Sequence, residues 1–194
     1  MSLISSPLSS SIPVPAAALP TGQAENPIER ARAFRAAMAQ VAAAVHVVTT
    51  DGPCGRAGFT ASAVSSLSDA PPMLLVCLQK NSSAYAAVRG NGVLCVNTLS
   101  ADQEVLSRLF GGKTPMAERF AGLACEAGAS GSPLLPGVRA RFDCHIEQVV
   151  SVATHDVLLC RVVAQQACAP AAGSLVYADR RYHGVGGEET ACSR

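Results

Sequence analysis

The spacing of apolar residues changes period once along the chain. From Asn26 to about residue 44, Ile28, Phe34, Met38 and Val41 recur at helical intervals, with Val45 prolonging the stripe. Asn26 can cap such a helix, Pro27 suits its first position, and Glu29 stands three residues after the cap. The spacing therefore predicts a helix to about residue 44 whose stripe covers the end or side of a sheet. Beyond it the pattern turns to short β-prone runs: VHVVTT (45–50), GFTASAVSS (58–66), MLLVCL (73–78) and VLCVNTL (93–99). Asp51-Gly52-Pro53, Asp69-Ala70-Pro71-Pro72 and Gly90-Asn91-Gly92 separate them as turns. Short helices fit residues 82–89 and 101–110, and the stretch 111–137 reads as loop with one helical turn around Met116 to Phe120. Two longer strands (138–150 and 155–167) and a last one (174–183) complete the set, with no internal repeat. Residues 1–25 are rich in Ser, Pro and Ala without periodicity and read as a flexible tail, leaving one folded domain over 26–185 and a C-terminal tail at 186–194.

Six or seven strands behind one leading helix predict a mainly β fold, an antiparallel barrel with inserted helices. A doubly wound α/β sheet would need long helices between strands, and no GxGxxG follows any strand. Composition adds limits. With 194 residues, 49% hydrophobic and only 15% charged, the chain can bury one real core, and its apolar surplus hints at cover by a partner subunit. A net charge of +1, with three Tyr, five Phe and no Trp, gives a nucleic acid little to bind. None of the eight cysteines forms a C-x-x-C pair, which argues against a zinc site or a dithiol redox motif. Cys77, Cys95 and Cys160 lie in apolar runs as small hydrophobes, which fits a reducing cytoplasm. The first basic residue is Arg30, so a signal-peptide n-region is missing, and no apolar run is long enough to span a membrane. The expected location is cytoplasmic.

Candidate chemistry concentrates in three places. Thr60, Ser62, Ser65 and Ser66 combine small volume with hydroxyls, and Gly58 and Ala61 allow close approach to a flat ring or a phosphate. The same pattern also describes a solvent-facing Ser/Thr strand. Lys80, Asn81, Ser82 and Ser83 open a helix, either as an anion site or as simple capping. Arg108, Gly111, Gly112 and Lys113 surround Phe110, where they either wrap a phosphate or end a helix. His46 and His145 sit within strands and read as structural; His155 and His183 sit at strand edges, where a ring can meet a ligand or only solvent. No metal-ligand cluster, G-x-S-x-G elbow or P-loop occurs, so the chemistry left open is that of a bound organic cofactor, which needs only positioning.

The segments FRAAMAQVAAAVHVVTTDGPCGRAGFTASAVSSLSDAPPMLLVCL, LCVNTLS, LFGGKTPMAERFA, FDCHIEQVVSVATHDVLLC and RRYH, within about residues 33 to 184, resemble the short-chain flavin reductases that serve two-component flavin-dependent monooxygenases. The resemblance implies an antiparallel Greek-key split β-barrel, a homodimer, and FMN near the subunit interface with NADH as hydride donor. It implies flavin contacts from Thr60, Ala61, Ser62, Ala63 and Ser65, and a second flavin wall from Cys77 to Ser83. Lys80, Ser82 or Ser83 would then lie near the phosphate, and Arg108 to Lys113, with Phe110 between them, would complete that end. His155 and His183 would face the nicotinamide, although Ala153-Thr154 replaces the family's Gly-Asp before the first of them. No residue is implied as a catalytic acid or base. Loop motifs such as FGGKTPMAERF and VVSVATHDVLLC look most like the reductases of uracil degradation, whose partner is a pyrimidine oxygenase receiving reduced FMN by diffusion. The reductase of 4-hydroxyphenylacetate 3-monooxygenase is the alternative within the family. Outside it stand a non-catalytic flavin-binding protein, an oxidase of a pyridoxine phosphate-like substrate, which would need a richer basic phosphate site, and a purely structural dimeric barrel.

Overall fold

The computed structural model describes residues 26–168 and 172–187, so the expected tails, 1–25 and all but the first two residues of 186–194, lie outside the described residues. The chain divides into two compact units, one ending at Ala36 and one starting at Ala37. The leading helix, α1 (Pro27–Met38), begins as its sequence dictates, with Asn26 Oδ1 accepting the Ile28 amide at 3.0 Å. It ends earlier than the apolar spacing implies. No residue of α1 is buried, and Ile28 and Phe34 are 75% and 66% exposed.

From Ala37 onward the chain is mostly strand. In order come β1 (Ala43–Ala44), β2 (His46–Thr50), β3 (Ala57–Ala61), β4 (Val64–Asp69), β5 (Pro72–Gln79), α2 (Tyr85–Asn91), β6 (Val93–Thr98), α3 (Glu104–Gly111) and α4 (Met116–Arg119). The short β7 (Glu126–Ala127) and β8 (Pro133–Leu134) follow, then the long β9 (Ala140–Val152) and β10 (His155–Ala167), and finally β11 (Ala172–Ala178) and β12 (Arg181–Gly187). Seven strands form one antiparallel sheet in the order β3-β2-β6-β9-β10-β5-β4, a path whose non-consecutive neighbours are those of a Greek key. A second sheet pairs β1, β11 and β12, and a third pairs β7 with β8.

The run GFTASAVSS is two strands rather than one, and this shapes the molecule. β3 and β4 lie at opposite ends of the seven-stranded order, yet only Ser62 and Ala63 connect them. In a flat sheet those edges would stand about 29 Å apart at the usual strand spacing. Three Cα steps reach only about 11 Å. The sheet must roll up, and β3 indeed comes into contact with β5, while the Cys77 amide donates to Ala63 O at 3.0 Å. A second departure is SLVYADRRYH, which is a hairpin: Asp179 and Arg180 turn it with φ of +47° and +59°. Asp179 suits the first place of such a turn, but Arg180 stands where the glycine that completes the sequence signal is usual.

Strand alternation divides the core in two. Val48, Phe59, Val76, Leu78, Leu94, Val96 and Leu158 face one cluster inside the rolled sheet; Val45, Val47, Leu99, Phe110, Leu135 and Leu175 form another beneath α3 and β11. β2, with a face in each cluster, is buried at all five positions. No helix among the described residues is long and apolar enough to cross a membrane.

Candidate functional site

Rolling the sheet opens a cleft of about 680 Å³ where the β3–β4 crossover meets the end of β5. One wall is Thr60, Ala61, Ser62 and Ala63, in which no side chain is larger than threonine. Cys77 and Gln79 from β5, with Asn81, Ser82 and Ser83 ahead of α2, make the second. The third is the loop from Phe110 to Met116, which leaves α3 and enters α4. The Thr60 hydroxyl donates to Ser107 O at 2.6 Å, tying the first wall to α3. Close approach explains two glycines. A Cβ on Gly58 would stand 2.6 Å from the Phe110 ring, and one on Gly112 would stand 2.9 Å from Arg108 O. Neither leaves room for any other residue without a shift.

Arg119 organises the third wall. Its side chain is 5% exposed, and all five guanidinium N–H groups are spoken for. Nε donates to Thr114 O (2.9 Å), Nη1 to Gly58 O (3.0 Å) and Phe110 O (2.8 Å), and Nη2 to Gly112 O (3.0 Å) and Ser83 Oγ (3.3 Å). Every acceptor is neutral, and the guanidinium has no ion pair among the described residues. A buried, uncompensated cation therefore lines the cleft, a few residues from the exposed Lys113. Buried charge is costly unless something answers it, so this end of the cleft is prepared for an anion.

Of the residues singled out in sequence, the cleft brings together Thr60, Ala61, Ser62, Ala63, Cys77, Asn81, Ser82, Ser83, Phe110, Gly111, Gly112, Lys113 and His155. Ser65 is outside it, its hydroxyl donating to Ser66 O at 3.2 Å. Lys80 is turned away as well. Its Nζ donates to Ala153 O at 2.8 Å and stands 4.0 Å from the buried Asp156 carboxylate, so it braces the β9–β10 turn that presents His155. Asp156 also accepts from the Tyr85 hydroxyl at 2.9 Å and pairs with Arg89 at 3.5 Å. Burial works against its charged form, but the Tyr85 and Ser151 hydrogen bonds and the two cations outweigh that and hold its pKa below the ordinary carboxylate value. Arg108 bonds Glu104 and lies 5.0 Å over the Tyr182 ring, at a neighbouring cavity. His183 is outside the cleft too, its Nε2 lying 3.2 Å from Ala178 O.

Sequence reasoning passed over Arg119 and Met116 as site residues, whereas Gln79 and Asn81 fall within the Cys77 to Ser83 wall that the resemblance implied. For Arg119 the only available signal was an arginine nine residues after Phe110, in a stretch that reads as loop; its five bonds all reach other segments. The Cys95 and Cys160 thiols are pushed up to about 12 by burial, and the Cys144 thiol is pushed up further, so these three are packing groups rather than nucleophiles. Among the described residues all cysteines are free and no cluster of metal-binding side chains forms.

This geometry has relatives. The flavin reductase like domain family matches residues 38–186. The FMN reductase (NADH) RutF of Cronobacter sakazakii is 58% identical over 154 residues, covering 79% of this chain and 92% of that protein. A crystal structure assigned as a flavin reductase of Haemophilus somnus superposes with a TM-score of 0.76 at 45% identity, over 79% of this chain and 98% of that one. BorF, the flavin reductase component of a bacterial two-component tryptophan halogenase, superposes with a TM-score of 0.75 at 25% identity, over 82% of this chain and 99% of its own. The rolled sheet, the cleft and the extent of these matches together establish that the chain belongs to the flavin reductase family.

Proposed function

We propose that the chain is an NADH-dependent FMN reductase that releases reduced FMN to a separate flavin-dependent monooxygenase. The observation that carries this reading is the cleft: a smooth wall of four small residues faces a loop held by an uncompensated buried guanidinium. A flat tricyclic ring fits against Thr60–Ala63, and its phosphate suits the end where Lys113, Ser82 and Arg119 converge. When bound, the flavin supplies a two-electron acceptor for hydride from a dihydronicotinamide.

The protein's part is positional. The Thr60–Ala63 wall and the Phe110–Met116 loop fix the ring plane, and holding two reactants in contact can contribute several kcal/mol, on the order of the entropy otherwise lost. Hydroxyls and amides along the crossover offer neutral donors where negative charge grows. His155, kept by its 2.9 Å contact with Thr154 Oγ1, stands at the cleft edge where the donor would enter. Among the described residues no carboxylate lines the cleft, so they supply no general acid or base of that kind. Binding through small neutral groups and few cations is moderate, as release of a product flavin requires.

The pyrimidine oxygenase of uracil degradation is the partner we favour, supported by relatives that carry the RutF name at over half identity. The transfer proceeds by diffusion in the cytoplasm. A homodimer is supported by apolar side chains left exposed, among them Leu67, Val150 and Val163.

Purified protein given NADH and FMN should lose absorbance at 340 nm rapidly; a rate no higher than that of buffer would reject the assignment. Ser62→Leu should raise the KM for FMN severalfold by filling the wall, and an unchanged KM would remove Ser62 from the site.

A further inference from the structure

One short helix holds both backbone polar groups of Gly58. Gly58 lies in β3, a terminal strand of the seven-stranded order, so the edge it turns away from β2 has no strand beside it. At that edge the Gly58 amide donates to Met116 Sδ at 3.3 Å, and Gly58 O accepts from Arg119 Nη1 at 3.0 Å. The two side chains leave α4 from its first and last residues, so α4 stands in for a neighbouring strand at this point. A thioether is a weak acceptor, which makes the Met116 bond the less secure half of the clamp.

Met116 also has a singular position among the described methionines. It lines the cleft, whereas Met38, 50% exposed at the end of α1, and Met73 on β5 do not. Its side chain is half-buried and packs on the core cluster inside the rolled sheet. The cleft is where reduced FMN is formed. Reduced FMN that meets dioxygen returns to FMN, and its two electrons and two protons leave as hydrogen peroxide. Met116 therefore stands next to a source of oxidant that the other methionines meet only from bulk solution.

Resting on the reductase function above, we propose that Met116 is an oxidation site that turns the enzyme down when a partner does not draw off reduced FMN. The Met116 sulfur attacks one peroxide oxygen; an S–O bond forms, the O–O bond breaks, and the other oxygen takes the remaining proton and leaves as water. Sulfur gives up two electrons and peroxide gains them, so one sulfoxide consumes one dioxygen and one reduced flavin. The sulfoxide is polar and chiral where the thioether was flexible and apolar. Its oxygen needs room where the Gly58 amide now meets sulfur, and it is out of place against the apolar core. α4 draws back from β3 and takes Arg119 with it, so the phosphate end of the cleft loses its guanidinium. Methionine sulfoxide reductases can reverse the change.

The test follows the methionines rather than activity alone. The unaltered protein is turned over with NADH and FMN in air, and in parallel under nitrogen, then digested, and the mass of each methionine peptide is read for one added oxygen. In air Met116 should gain oxygen ahead of Met38, and under nitrogen neither should. Flavin-free protein in dilute hydrogen peroxide should show the opposite order, because Met38 is the more exposed. Oxidation of Met38 before or together with Met116 during turnover would overturn the assignment. The Kd for FMN of the oxidised protein should rise about tenfold, the loss expected for one charge-assisted contact, and methionine sulfoxide reductase should restore it. Met116→Leu, a volume-conserving change, should leave aerobic turnover with the same Kd for FMN that it had beforehand. An unchanged Kd in the oxidised parent, or an equal loss of affinity in the Leu variant, would also overturn it. Loss of absorbance at 340 nm with Met116 unoxidised in air removes this inference and leaves the reductase reading standing; no loss of absorbance removes both.

Discussion

Two single residues carry more than their positions in sequence suggest. Arg119 clamps five backbone and side-chain acceptors from four segments while adding positive charge to the cleft. The two roles separate by substitution. Arg119→Lys keeps the charge but cannot span five acceptors, and Arg119→Met loses both. Each should lower unfolding free energy by roughly 2–4 kcal/mol, because several buried carbonyls lose a charged donor. Only the Met variant should also erase the preference for FMN over riboflavin, which lacks the phosphate; equal weakening of both flavins by Met would show that Arg119 acts through loop shape alone. His46 is different in kind. Burial pulls its pKa from 6.5 down to about 4, with Thr98 Oγ1 at 3.1 Å as its neighbour. Between those values the unfolded chain binds a proton that the folded one refuses. Stability from this residue is therefore complete above pH 6.5 and lost as pH falls toward 4, with a slope of about 1.4 kcal/mol per pH unit. Urea midpoints measured from pH 6.5 to 5 should follow that slope, and His46→Gln should flatten it; a parallel slope in the variant would assign the effect elsewhere.

At the scale of elements, the site depends on how β3 meets α3. Gly58 lets the Phe110 ring lie against the strand, and Phe110 in turn packs edge-on to Phe120 at 5.0 Å. Gly58→Ala should cost about 1–3 kcal/mol as that ring is displaced and should weaken FMN binding, since Phe110 lines the cleft. An unchanged urea midpoint and FMN affinity would show that the wall tolerates the shift. Much of this arrangement was legible beforehand. The long strands and the helices near 85 and 104 follow from local periodicity, while the Thr60–Ala63 wall was implied by the family resemblance, its small residues alone fitting a plain Ser/Thr strand equally well. What escaped has one cause, which is that it is decided across segments. Ser62-Ala63 looks like the middle of a strand, and only the closure of the sheet makes it a crossover. Lys80 looks like a phosphate ligand until the β9–β10 turn claims its ammonium. The Asp179-Arg180 turn has Arg180 in place of the glycine that would announce one.

For the whole molecule, one constraint links fold to function. A sheet whose two edge strands are joined by two small residues has to roll, and the place where it rolls is lined by backbone and short side chains. Bulky residues there would block both the closure and the ring. The Thr60–Ser62 segment then lines two cavities. The arrangement explains how a cleft lined, among the described residues, by no carboxylate can serve an oxidoreductase: it supplies place, orientation and a little charge. The most direct measurement is a crystal structure of the protein grown with FMN. The predicted result is a ring plane lying along Thr60–Ala63 with the phosphate beside Lys113 and Arg119. A flavin seated elsewhere, or a cleft left empty at saturating FMN, would contradict the account.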